Sequence, residues 1–243
     1  MSRAIYIATG EAESGKSIIT LGLMGILLGR TKKVGYFRPI IEATDQSKKD
    51  NHIETVLSHF KLEMDYEDCY ALTSAEVIHK KTNDREGEIL DIIIKKYKAL
   101  EDKFDFILVE GTDFSGEAAF VELDINAVIA KNLGIPVILV GTGKDKNLEE
   151  LVTNLHLAYD SFLDKEVKVL GIVANKVNES DIDAVAKRLE EEVEEKIFIG
   201  VIPMVKSLNN PTIKEIVDNL GADILIGEAQ LDNQVETSAV GAM

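Results

Sequence analysis

Short apolar runs alternate with longer amphipathic segments along most of the chain. Ala4–Thr9 is a six-residue apolar run of the length and composition of a buried strand, and Ile18–Leu28, apolar and free of proline, predicts a helix. Val34–Phe37 predicts a second strand that ends at Arg38-Pro39. The stretch from Glu42 to Asn51 is polar, lacks periodicity and predicts a surface loop. Helical spacing resumes over His52–Phe60, with Ile53, Val56, Leu57 and Phe60 on one face, and again through Ile89, Ile92, Ile93, Tyr97 and Leu100. Phe104–Val109, Pro136–Val140, Val167–Ala174 and Ile197–Ile202 predict further strands, with helical segments between them. Strands separated by helices of this length imply parallel βαβ units with right-handed crossovers, hence an α/β fold with a mainly parallel sheet flanked by helices. In the acidic run Glu190–Glu195, Leu189, Val193 and Ile197 keep helical spacing, which reads as a solvated helix face. Leu220–Gly227 looks like the start of one more strand. With no polar tail or cap over Ser238–Met243, the division expected is residues 1–219 as one domain and 220–243 as the beginning of a following one.

Between the first strand and the first helix lies Gly10-Glu11-Ala12-Glu13-Ser14-Gly15-Lys16-Ser17, which fits G-x-x-x-x-G-K-[ST] without a mismatch. A glycine-bounded loop between strand and helix lets successive backbone N–H groups converge on a phosphate. Lys16 would add positive charge toward the outer phosphates, and the Ser17 hydroxyl could ligate Mg²⁺. The plainer alternative is a glycine turn that happens to contain Lys and Ser. Glu11 and Glu13 set carboxylates beside a site meant for a polyanion, which weakens anion binding unless they point outward or a metal intervenes.

In open parallel sheets ligands sit at the carboxyl ends of strands, and several polar residues fall there. Glu110 ends the Phe104–Val109 strand, where it either holds Mg²⁺ or is a solvated carboxylate. Asp50, and less directly Asp45, could complete a metal site from the loop after the second strand. Arg38 either meets an anion or pairs with a surface carboxylate. Asn175, beside Lys176, offers a donor and an acceptor suited to a purine edge, or serves a turn. The four histidines, His52, His59, His79 and His156, show no metal-ligand spacing, and no nucleophile motif is apparent.

Composition narrows the partners. Forty-three acidic residues against twenty-seven basic give a net charge of −16, which repels nucleic acid and anionic membranes. The longest apolar stretch falls short of the ~20 residues that span a bilayer, and the apolar N-terminal run is too short for a signal sequence. A cytoplasmic location follows as the expectation. Cys69, the single cysteine, reads as structural because Glu67 and Asp68 would raise its pKa.

Taken in order, Thr9–Ser17, Tyr36-Phe37-Arg38-Pro39, Asp50, Val109-Glu110-Gly111, Val173-Ala174-Asn175 and Ile202-Pro203 resemble the dethiobiotin synthetase-like P-loop domain. Within that group the chain is most similar to the N-terminal domain of long-form bacterial phosphate acetyltransferases. Gly35–Pro39 resembles a segment of those enzymes with Arg in place of Lys. The resemblance implies a P-loop NTPase-like fold and a nucleotide, such as ATP with Mg²⁺, held by residues Gly10 to Ser17. It further implies Ser17, Asp50 and Glu110 at the metal and Asn175 at the base, with Arg38 at the anion site. A transacetylase domain in the same polypeptide and a homo-oligomer are the partners it implies. The synthetase carries a substrate-contacting lysine where Arg38 stands, and a guanidinium that stays protonated cannot replace a lysine that forms a carbamate. The expected function is accordingly a regulatory or assembly domain with no catalytic residue of its own. An ATP-dependent synthetase-like ligase and an interaction module with a relic P-loop are the alternatives.

Overall fold

The structure is a computed structural model of the 243-residue chain. It describes residues 3–31, 33–42, 49–83, 85, 87–112, 119–193, 196–205, 208 and 210–236. Two compact units divide after Ile202.

The first unit is built on a seven-stranded sheet. Its strands are β1 (Ala4–Thr9), β2 (Val34–Ile41), β3 (Tyr70–Thr73), β4 (Phe106–Glu110), β5 (Val137–Thr142), β6 (Val169–Val177) and β7 (Phe198–Pro203), in the spatial order β3-β2-β4-β1-β5-β6-β7. The pairs β1–β4, β1–β5, β2–β3, β2–β4 and β5–β6 all run parallel. The helices are α1 (Lys16–Leu28), α2 (Asn51–Phe60), α3 (Ser74–Thr82), α4 (Gly87–Glu101), α5 (Ala119–Leu133), α6 (Leu148–Asp164) and α7 (Ile182–Glu192).

The strands alternate between two buried faces. Tyr6, Ala8, Phe37, Ile107 and Val109 enter one core with α4, α5 and α6, while Ile7, Tyr36 and Leu108 enter the other with α1 and α2. A sheet covered on both faces is why these strands read as unbroken apolar runs rather than as alternating ones. β1 lies between β4 and β5, where the strand order reverses, so its carboxyl end opens into the crevice that such sheets use for ligands.

Three expectations are corrected, and two elements are added. β2 does not stop at Arg38-Pro39 but continues to Ile41. Its pairing with β4 ends at Phe37, while Arg38 and Ile40 pair with β3, so the missing N–H of Pro39 falls on the side where the ladder has finished. β3 and α3 went unread, since a four-residue strand carries too few positions to show a period. α7 ends at Glu192 and Val193 is extended, so the helical face does not reach Ile197. Leu220 closes a helix, and no strand follows it among the described residues.

Cys69 is buried, and burial first, then Asp68 and Glu67, pushes its thiol up to about 12. Among the described residues no helix is long and apolar enough to cross a membrane.

The second unit contains α8 (Ile213–Leu220), capped by a reciprocal Thr212–Glu215 box and ended by Gly221 at φ 59°. An antiparallel bridge joins Thr212 to Gln234.

Candidate functional site

The loop after β1 closes on itself before α1 begins. The Glu11 N–H donates to Thr9 Oγ1 at 3.1 Å, and Glu13 (φ 54°) and Gly15 (φ 78°) take left-handed conformations. A Cβ at Gly15 would lie 2.3 Å from Asn175 Nδ2, so only glycine fits both the backbone angle and the neighbour. α1 starts with no side-chain cap and no acidic residue in its first turn, which leaves its N-terminus open to an anion.

Lys16 is buried and its ammonium donates to the Gly111 carbonyl just beyond β4. That carbonyl is held in place from behind. Asn126 of α5 accepts from the Thr112 N–H (3.0 Å) and the Tyr6 hydroxyl (2.6 Å), and donates to the Thr112 carbonyl (3.2 Å). A Cβ at Gly111 would meet Asn126 Oδ1 at 2.7 Å and the Ile7 carbonyl at 2.9 Å.

Glu110 is 1% exposed and accepts on both oxygens. Oε2 takes the Tyr36 hydroxyl at 2.7 Å, and Oε1 takes the Ser17 hydroxyl at 3.3 Å and lies 2.8 Å from His52 Nδ1. Burial pulls its pKa upward, but the His52 hydrogen bond and the charges of Lys16 and Arg38 outweigh that and hold the carboxyl well below the usual range. Tyr36 moves oppositely, pushed far up by burial and then by the Glu110 charge. The network therefore holds an ionised carboxylate under the first turn of α1.

Arg38 and Asp50 form a second buried pair, with Nη1 to Oδ2 at 2.6 Å and side chains 5% and 7% exposed. Asp50 also caps α2, accepting from the Ile53 N–H at 3.0 Å, and its own N–H donates to the Tyr66 hydroxyl at 2.6 Å. Both Asp50 oxygens are thus engaged, and Arg38 pairs with a buried carboxylate rather than a surface one.

On the opposite flank the loop carboxylates meet lysines from the turn between β5 and α6. Glu11 pairs with Lys146 and accepts from the Thr142 N–H; Glu13 pairs with Lys144 at 2.7 Å. The hydrogen bond and charge of Lys144 lower the Glu13 pKa. Lys176 donates to the Glu13 carbonyl and Asn175 Nδ2 to the Ser14 carbonyl, at 2.8 and 2.9 Å. The repulsion expected from Glu11 and Glu13 is offset by these contacts.

The structure thus brings together Ser14, Gly15, Lys16, Ser17, Glu110 and Asn175, with Gly10–Glu13 on the same loop, and sets Arg38 with Asp50. Asp45 lies outside the described residues. Sequence reasoning set His52 aside for want of metal-ligand spacing, although it stands at the second position of α2, two residues after a capping aspartate. Lys144 and Lys146 were missed for lack of any pattern.

The AAA domain family AAA_26 matches residues 3–212. The phosphate acetyltransferase of Nitratidesulfovibrio vulgaris strain Hildenborough is 38% identical over 100% of the chain, and that of Synechocystis sp. PCC 6803 is 34% identical over 100%. In both cases the match covers 35% of the enzyme, so the chain spans about a third of the length of these relatives. The ATP-dependent dethiobiotin synthetase of Clostridium perfringens ATCC 13124 is 26% identical over 89% of the chain and 97% of its own length. In fold the chain is similar to a Borrelia burgdorferi B31 protein described as a plasmid partition protein and bound to AMPPNP (TM-score 0.52, 15% identity, 85% of this chain and 89% of that one). A ParA family ATPase from Chlorobium tepidum TLS gives a TM-score of 0.50 at 12% identity, over 84% and 86%. The fold is that of P-loop NTPases.

Proposed function

We infer the function from membership: the chain belongs to the AAA_26 family of AAA domains, here with an unbroken G-x-x-x-x-G-K-[ST] loop. It is a nucleotide- or phosphate-binding domain of a phosphate acetyltransferase, and it influences that enzyme's activity or assembly without carrying acetyl transfer itself. The observation that carries this reading is the match of the whole chain to about a third of each of two such enzymes. The parent reaction interconverts acetyl-CoA and phosphate with acetyl phosphate and CoA. A transacetylase domain in the same polypeptide, with residues 220–243 leading toward it, a homo-oligomeric state and a cytoplasmic setting belong to the same reading.

Lys16 and the N–H groups of residues 13–17 would hold the phosphates of ATP or a related nucleotide. Ser17 Oγ and Glu110 Oε1, 3.3 Å apart, are hard oxygen donors that fit a divalent ion such as Mg²⁺. That ion would offset phosphate charge beside an acidic loop. Asp50 would act by fixing α2 and Arg38 rather than by ligation. Asn175 is placed to hold the loop, and its Oδ1 would serve the base.

A ligase of the synthetase class is the second reading, favoured by the match to nearly the full length of the Clostridium protein. Against it stands Arg38, which remains protonated and is bound to Asp50.

The test compares the full-length polypeptide with one that begins after residue 243, assayed for acetyl transfer with and without ATP and sized by light scattering. The reading expects retained turnover with altered nucleotide response or subunit number. Identical rate, response and size would overturn it. Turnover of diaminopelargonate with CO₂ and ATP would instead establish the ligase.

A further inference from the structure

Three donor atoms converge at the first turn of α1. Ser17 Oγ and His52 Nδ1 lie 2.8 Å apart, His52 Nδ1 and Glu110 Oε1 2.8 Å, and Ser17 Oγ and Glu110 Oε1 3.3 Å. All three edges of the triangle are therefore short. An octahedral ion with arms of ~2.1 Å sets neighbouring donors ~3.0 Å apart. The triangle has the size of one octahedral face.

We propose that His52 is a third protein ligand at this site, and that the Ser17–His52–Glu110 face takes a first-row transition divalent ion such as Mn²⁺ in preference to Mg²⁺. The proposal rests on the reading above that Ser17 and Glu110 hold a divalent ion. Its own ground is the nitrogen corner, where the ion would displace the Nδ1 proton now donated to Glu110, leaving a neutral ring that carries its proton on Nε2. Mg²⁺ favours an all-oxygen shell with several waters, whereas imidazole suits transition ions.

The surroundings fix each corner. The Tyr36 hydroxyl holds Glu110 Oε2 at 2.7 Å, which aims Oε1 at the triangle. His52 sits in the first turn of α2, whose cap Asp50 is anchored by the buried Arg38 pair. Ser17 is set by the P-loop backbone. Glu110 is almost wholly buried, while the His52 side chain is 35% exposed, so water reaches the triangle from the His52 side.

Pulsed EPR of Mn²⁺ added to the protein, alone and with ATP, tests the assignment. Wild type should show modulation from a directly bound ¹⁴N that changes to the ¹⁵N pattern when histidine is ¹⁵N-labelled. His52→Leu, checked for folding by circular dichroism, should lose it. Competition by Mg²⁺ should show Mn²⁺ preferred about tenfold or more in wild type, with the preference falling roughly 10- to 100-fold in His52→Leu and in His52→Gln. Bound Mn²⁺ without histidine-nitrogen modulation, or an equal ion preference in wild type and variants, overturns the assignment while leaving the nucleotide reading intact. Failure of both Mn²⁺ and ATP to bind overturns the two together.

Discussion

The two flanks of the P-loop are built from the same kinds of residues and behave as opposites. Toward β2 and β4, Arg38–Asp50 and Tyr36–Glu110–His52 lie in buried surroundings, and nearly every oxygen is engaged by a named donor. Toward β5 and β6, Glu13 pairs with Lys144 where both side chains are open to water. A carboxylate on the first flank has no alternative to its partner, because removing that partner leaves a charge in low dielectric. On the second, Glu13 can exchange its lysine for water and salt at little cost, whereas Glu11 and Lys146 are only 19% and 20% exposed. The buried flank therefore sets geometry, and the exposed Glu13–Lys144 pair contributes little to it.

The largest effect that sharpens this contrast is expected from Arg38→Ala. It strands the Asp50 charge in the interior and frees the entry of α2, so denaturant unfolding should show a loss of about 3–5 kcal/mol. Arg38→Lys should recover part of it, limited by the loss of the fork geometry. A loss indistinguishable from that of a surface substitution would place the pair in solvent and remove the contrast.

Glu110→Gln comes next. Burial raises the Glu110 pKa, yet His52, Lys16 and Arg38 together lower it well below its ordinary value. Because the folded-state pKa lies below the unfolded one, the stabilisation is complete above about pH 5 and falls away as acid is added through and below the usual carboxylate range. The variant should lose about 1–3 kcal/mol at neutral pH and show a flatter acid limb than wild type. Parallel stability–pH curves for the two proteins would contradict this.

Asn126→Ala follows at about 1–3 kcal/mol, since it leaves the Thr112 amide and the Tyr6 hydroxyl buried without their acceptor. It should also weaken phosphate binding by loosening the Gly111 carbonyl that holds Lys16. The smallest effect belongs to Lys144→Ala. Its unfolding midpoint should match wild type, and any change in nucleotide affinity should disappear as salt is raised. A salt-resistant loss would show that the exposed flank is held as firmly as the buried one.

Much of this architecture is written in local pattern. β1, the loop and α1 are legible because strand length, glycine spacing and apolar composition agree over Ala4–Leu28, and helices α2 and α4 because their buried positions recur at 3.6 residues. β3 and α3 were not, although Thr73-x-x-Glu76 is a capping box that marks the start of α3. The continuation of β2 past Pro39 depends on which neighbour each residue faces, a tertiary fact that no local pattern carries. In the site, Lys16, Ser17 and Glu110 were legible because motif and strand end locate them. The union of His52 with Ser17 and Glu110 spans 35 and 58 residues of chain and exists only once α2 folds against α1 and β2. The lysine partners of Glu11 and Glu13 come from more than a hundred residues away for the same reason.

Calorimetric titration of ATP, with a divalent ion present, into wild type and Lys16→Ala tests the central claim most directly. The account expects saturable heat from wild type, an affinity reduced about 10- to 100-fold in Lys16→Ala through loss of a charge-assisted contact, and a further dependence on the divalent ion that Glu110→Gln abolishes. Identical heats from wild type and Lys16→Ala, or no heat from either, would contradict it.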